Sequence, residues 1–302
     1  MFAAGPSLGD QVDERLPNTL PPDLKANVRQ MISIGMDDDD TIDLINGMVQ
    51  HRFEVPQILQ AQQIIIKSHR SGLPTHPISN KAYEGISKQV AAGTIVAAME
   101  QVYSRYAFAY EQVGMIAQQG VQTSELGNLM ASSLAAGIGR NDARAIIAAL
   151  DSRSQSLSHT QSNHLALESL SAMRDIARLG VSSQAATSVM VQALDKGLTA
   201  NDIAVMHASF ITQSKHTPPE RLAKNYSQAI LNGKSIHSFG AKEGTQTGRQ
   251  GSPAGFGGAG SGANGGGSGG GAGGGAGGGS GGGGSGGGAG GGGSGGAGGS
   301  GR

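Results

Sequence analysis

Apolar residues recur at fixed distances from four glycines, Gly35, Gly72, Gly120 and Gly180. The residue after each is Met36, Leu73, Val121 or Val181. At offset 10 stand Ile45, Ala82, Met130 and Met190, and at offset 14 Val49, Ile86, Leu134 and Leu194. Offset 18 carries Phe53, Val90, Ile138 and Leu198; offset 23 carries Ile58, Ile95, Ala143 and Ile203; offset 30 carries Ile65, Val102, Leu150 and Phe210. The four stretches align without gaps. Steps of three and four residues are the period of a helix, whereas a strand would repeat every two. A repeat of this kind predicts units that each cover the apolar face of the next.

Short breaks interrupt each unit at Ala91-Ala92-Gly93, Gly137-Ile138-Gly139 and Gly197-Leu198-Thr199. Each unit therefore reads as two antiparallel helices joined by a tight turn. Asn141 and Thr199 are placed to cap second helices, Thr199 with Asp202 three residues on, and Ser182 and Thr75 to cap first helices. Extra helical segments, Tyr103–Gln119 and Thr160–Leu179, end in Ile-Ala pairs just before Gly120 and Gly180. Those glycines are placed as left-handed helix stops. A last helix opens at Thr217-Pro218-Pro219-Glu220 and stops near Gly233. The expectation is an all-α fold of about eleven stacked helices in antiparallel pairs, solenoid-like or an irregular bundle.

Three segments follow: a flexible lead-in over 1–19, a helical repeat domain over 20–239 and a tail over 240–302. The tail holds 37 of the 52 glycines and almost no apolar side chain. Ordering such a chain has nothing to offset its entropy, so it is expected to be a disordered tether. The net charge is zero, the tail carrying a small positive excess and the remainder a small negative one. Neither part has the concentrated positive field that nucleic acids require, so none is expected as a partner. Cysteine is absent, which excludes disulfides and thiolate chemistry. No apolar run is long enough to span a membrane. Met1-Phe2-Ala3-Ala4-Gly5-Pro6 has neither the charged nor the apolar region of a leader. The sequence as it stands predicts a cytoplasmic location, and an envelope or periplasmic one where a leader precedes it.

Few residues suggest chemistry. Asp37 to Asp40 lacks the glycine and the glutamate of an EF-hand and reads as a helix cap. His159 and His164 are five apart, the wrong spacing for one helical face, and His207 beside Met206 reads as a packed or interfacial histidine. Gly137-Ile138-Gly139-Arg140 lacks the Lys-Ser/Thr ending of a phosphate loop. Ser154, Ser156 and Ser158 sit in a polar loop without a partner base. No catalytic residue, metal ligand or cofactor site is expected. Tyr103, Tyr106, Phe108 and Tyr110 form an aromatic cluster, in which Tyr103, Tyr106 and Tyr110 share helical spacing. They are candidates for the widest core layer and for a ligand-binding surface.

The second unit runs Gly72-Leu73-Pro74, then Lys81-Ala82-Tyr83-Glu84-Gly85-Ile86-Ser87-Lys88, then Ile95 to Ala98 and Val102-Tyr103-Ser104-Arg105. It resembles a repeat of uncharacterised helical proteins of Gram-negative bacteria, many with secretion leaders. In those a Gly-led helix with a Glu-Gly core precedes an Ile-x-x-Ala helix. Ser132-Ser133-Leu134 and Gln192-Ala193-Leu194 replace the Glu-Gly core in the later units. The resemblance implies stacked helix pairs and carries no activity or catalytic residue with it. Two readings of function follow. One is a non-enzymatic scaffold or protein-interaction module, with a protein as partner and the tail as tether. The other is a small-ligand-binding or enzymatic helical domain with a pocket near 103–110 and His159–His164.

Overall fold

The structure, a computed structural model, describes residues 8–116 and 123–234. Twelve α-helices and no strand occur among them: α1 (Leu8–Arg15), α2 (Pro22–Ser33), α3 (Asp38–Gln50), α4 (Val55–Arg70), α5 (His76–Ser87), α6 (Ala92–Gly114), α7 (Thr123–Ala135), α8 (Arg140–Ser154), α9 (His159–Arg178), α10 (Ser183–Asp195), α11 (Ala200–Gln213) and α12 (Pro219–Leu231). Gly120 and the tail over 240–302 lie outside the described residues.

The aligned positions occupy the core. All four residues at offset 10, all four at offset 23 and all four at offset 30 are buried. Gly180 has a φ of 86°, the left-handed stop expected of it, and Gly35 and Gly72 adopt the same conformation at 95° and 66°. A second left-handed position follows at offset 17. It is Gly137 and Gly197 in two units, but Arg52 and Gln89 in the other two, at φ of 59° and 54°. The hydrogen bonds are those of the Schellman motif. Phe53 N–H donates to Met48 O and Arg52 N–H to Val49 O, both at 3.0 Å; Leu198 and Gly197 donate likewise to Ala193 and Leu194. The motif explains why an apolar residue follows each stop. That residue turns back against the last helical turn, so Leu73, Phe53, Ile138 and Val181 are buried.

Several local features differ from the sequence expectation. α1 lies within the expected lead-in, because Val12 and Leu16 bury themselves in the core beside α2. Arg15 pairs with Asp39 and, at 3.4 Å, with Asp43; Arg29 reaches Asp13 at 2.7 Å. Tyr103 onward is no separate segment but continues the second helix of its unit, making α6 23 residues long. Gly139 rather than Asn141 is the N-cap of α8, and Thr75, in helical conformation, makes no side-chain cap bond. Pro218 rather than Thr217 opens α12. Ser182 and Thr199 do cap α10 and α11, and Thr199 with Asp202 forms the full capping box.

Antiparallel pairing holds less generally than the repeat suggested. α5 packs closely on α6, but among the described residues neither α3 with α4 nor α10 with α11 does. The chain turns away after the left-handed stops, and α2 to α12 each have a neighbour two places along, although α6 also packs closely on α5 and α7. The even-numbered helices α2, α4, α6, α8, α10 and α12 are neighbours in unbroken succession. Among the odd ones α3 meets α5, and α7, α9 and α11 follow one another, while α5 and α7 both close on α6 instead. Side chains tie the N-termini of even helices together. Ser183 Oγ accepts from Gly139 N–H at 2.7 Å and donates to Asp142. Glu220 of α12 accepts from the Ser182 N–H at 2.8 Å and from its hydroxyl at 2.9 Å, bonds that hold the Glu220 carboxyl below its usual pKa.

Gly180→Val should cost about 1 kcal/mol or more, because a β-branched residue resists φ of 86° although open space surrounds its Cβ. Gln89→Gly should do the reverse, raising stability by roughly 1 kcal/mol as the strained left-handed residue is relieved. Denaturant unfolding of both variants checks the pair; equal midpoints for the parent and Gln89→Gly would remove the assigned strain.

Candidate functional site

The tyrosines lie on α6, where two hydrophobic cores meet. Ile95, Val96, Met99 and Val102 belong to the core built by α1 to α6, whereas Phe108, Ala109 and Val113 belong to the core that continues to α12. Tyr106 packs against both. Two buried contacts let neighbours approach α6 closely. A Cβ at Gly85 of α5 would stand 2.5 Å from Ile95 Cγ1, and one at Gly127 of α7 would stand 2.4 Å from the Tyr110 ring. Only hydrogen fits at either place. Gly85 is thereby the reason for the Glu-Gly core of that unit.

Tyr103, Tyr106 and Tyr110 share one face, as three- and four-residue spacing requires, and all are half-buried. Phe108 points elsewhere: it is buried, with the guanidinium carbons of Arg140 and Arg144 at 4.9 and 5.1 Å from its ring centre. Lys67 Nζ sits 4.3 Å from the Tyr103 ring centre, a cation–π contact, and 4.0 Å from Glu100. Beside Lys67 a groove of about 370 Å³ lies between α4 and α6, edged by Gln60, Gln63, Ile64, Arg70 and Glu100. At the other end the Tyr110 hydroxyl lies 3.2 Å from Asn128 Oδ1 and 3.3 Å from Ser124 O, and can donate its one proton to either. Those two residues edge a second cavity of about 350 Å³ between α7 and α9, which Arg174 also lines. Burial raises the pKa of Tyr106 and Tyr110, so both stay protonated at neutral pH. The three tyrosines are therefore brought together on one helix, but none of them lines either opening; Tyr103 meets one through Lys67 and Tyr110 the other through Ser124 and Asn128.

Arg174 is part of a polar network. Its Nε and Nη2 donate to the Asp175 carboxylate at 2.7 and 3.0 Å, and His207 of α11 and Arg178 approach the same carboxylate at 3.4 and 3.6 Å. Burial works to raise the Asp175 pKa, but Arg174, His207 and Arg178 outweigh it and the value is lowered. For His207 burial dominates: it lowers the pKa, and the attraction of Asp175 and Glu168 recovers only part. His207 is thus the packed histidine expected, with a carboxylate neighbour that the sequence did not place.

The remaining candidates are structural. Asp37 caps α3, accepting from Asp40 N–H at 3.0 Å, and Tyr83 donates to Asp40 O at 2.6 Å. Burial and the nearby Asp40, Asp43 and Asp37 push the Tyr83 phenol up to about 12. Gly137-Ile138-Gly139-Arg140 is the turn from α7 to α8, and Arg140 donates to Ser104 Oγ at 2.9 Å. His159 starts α9, and His164 faces Glu168 at 3.6 Å. Ser158, read as a loop residue, is the N-cap of α9 in a capping box with Gln161. Its Ser-x-x-Gln spacing was the available signal. Among the described residues no group of three or more His, Asp or Glu is placed to hold a metal ion, and no helix is long and apolar enough to cross a membrane. No family model, curated protein or solved structure matches this chain.

Two variants test this region. Gly127→Ala should destabilise the parent by roughly 1 kcal/mol or more, as crowding of Tyr110 exceeds the helical gain of alanine. In a Tyr110→Ala background the same change should stabilise; the same sign in both backgrounds would show that the ring does not need the space. His207 supplies a pH dependence. With its folded pKa below the unfolded value, the unfolded chain binds the proton first, so stability is lost as pH falls below about 6.5. His207→Gln should flatten the fall in melting temperature between about pH 7 and pH 5; an undiminished slope would assign that fall to other groups.

Proposed function

We propose that this chain is a non-enzymatic helical scaffold that binds a protein partner along its even-numbered helices, with residues 240–302 as a tether. The observation that carries the reading is the unbroken succession of α2, α4, α6, α8, α10 and α12 as neighbours. Helices stacked in this way present one long surface whose grooves lie between successive members. The groove between α4 and α6 is the best-equipped part of it. Lys67 and Arg70 supply positive charge, Gln60 and Gln63 supply hydrogen-bonding groups, and the Tyr103 ring lies beneath Lys67. An extended segment bearing a carboxylate fits that combination. Polar groups elsewhere are engaged in caps and ion pairs: Asp37 at the start of α3, Asp202 in α11, Glu220 across to α10 and Asp175 with Arg174.

The test is in-cell photo-crosslinking from the groove. A photoreactive residue at Gln63 should capture one discrete protein, and the same residue at Lys196, on the turn after α10, should not. Lys67→Glu together with Arg70→Glu should abolish the capture while leaving the chain folded, since neither residue is in the core. Equal capture from both positions, or capture that survives the charge reversal, would sink the proposal.

A further inference from the structure

A third cavity, of about 220 Å³, lies where the end of α8, the first turns of α9 and the start of α11 meet. Its walls are almost wholly apolar, formed by Leu157, Leu165 and Ala200. Arg153 and His164 stand at its edge with Asn201. Arg153 pairs with no carboxylate among the described residues: its Nη2 reaches only Gly197 O at 3.4 Å, and its Nε, like that of Arg105, is buried without a hydrogen-bond partner. With Nε enclosed by protein, the Nη groups are what the guanidinium can offer a ligand at the cavity edge, and a carboxylate is the acceptor that suits them. The neighbouring acids are already engaged. Asp202 accepts from the Thr199 N–H and hydroxyl at 2.9 and 2.8 Å, and Glu168 faces His164 at 3.6 Å. Asp202 is thereby held to the cap of α11.

We propose that this slot binds a small carboxylate with a short apolar chain. The chain lies against Leu157, Leu165 and Ala200, and the carboxylate accepts from Arg153, within reach of His164 and the opening turn of α11. The volume admits about seven groups the size of a water molecule, which sets the ligand at roughly six to eight heavy atoms. Inorganic anions gain nothing from the apolar walls. This slot is separate from the groove between α4 and α6 from which the partner is to be captured, so either test can fail without the other.

The full chain should be titrated with hexanoate, with hexylamine and inorganic phosphate as controls. Hexanoate alone should raise the melting temperature saturably and shift the backbone amide resonances of Ala200 and Asn201 while leaving those of α2 and α3 in place. Arg153→Gln, which removes the charge, and Ala200→Phe, which fills the slot, should each weaken hexanoate by about tenfold or more. Helical circular dichroism confirms that each variant folds; the amide shifts of the unmodified chain decide the matter if one does not. No saturable response to hexanoate, an equal response to hexylamine or to phosphate, or affinity retained in either variant would overturn the site.

Discussion

Everything in this fold depends on where each helix stops. Eight of the twelve described helices end at a residue with positive φ, where N–H groups close back on the last carbonyls and, in all but α12, an apolar side chain follows the final turn. The stop thereby sets helix length and the direction of the next segment. One residue more or less would rotate the apolar row by about 100° and remove it from the core. That is why Ile45, Ala82, Met130 and Met190 can differ in size yet all stay buried: their distance from the stop, not their identity, is what repeats. Arg52 and Gln89 show how strong the constraint is, since they accept the left-handed conformation without being glycine.

α6 converts this series of stops into one body. It runs from the first core into the second without interruption, gripped at one end by Gly85 of α5 and at the other by Gly127 of α7. The tyrosines sit along this helix because the changeover between cores leaves space for side chains that are part apolar and part polar. Tyr106 spans the two cores, Tyr103 lies beneath Lys67, and Tyr110 bonds to the α7 side. The same economy governs the charged residues. Asp142 and Glu220 reach across to the start of α10, so acids that help begin their own helices also satisfy a neighbour's first turn.

Much of the secondary structure was readable because helix period and local caps are sequence-local properties. Thr199 with Asp202, Ser182, and the glycines at 35, 72 and 180 were each readable from a few adjacent residues. α1 was not, since only Val12 and Leu16 meeting distant side chains stabilise so short a helix. The left-handed role of Arg52 and Gln89 was hidden because neither residue type announces it. The candidate region was legible only as a spacing of tyrosines. Its openings depend on Lys67, Ser124, Asn128 and Arg174, which come from three other helices.

The sequence by itself determined that the described chain is helical, where most helices stop, and which side of each is apolar. These follow from interactions within a few residues, repeated unit after unit. Tertiary structure alone decided which helix meets which. Nothing local distinguishes a close pair such as α5 and α6 from α3 and α4, which do not pack closely. That choice rests on whether a glycine such as Gly85 admits the facing side chain, and on which apolar faces remain to be covered after the turn. The pairing of Arg174 with Asp175 beside His207 depends on it, and so does the unsatisfied Nε of Arg153. Such positions gain their chemical character from neighbours that the chain brings together only on folding.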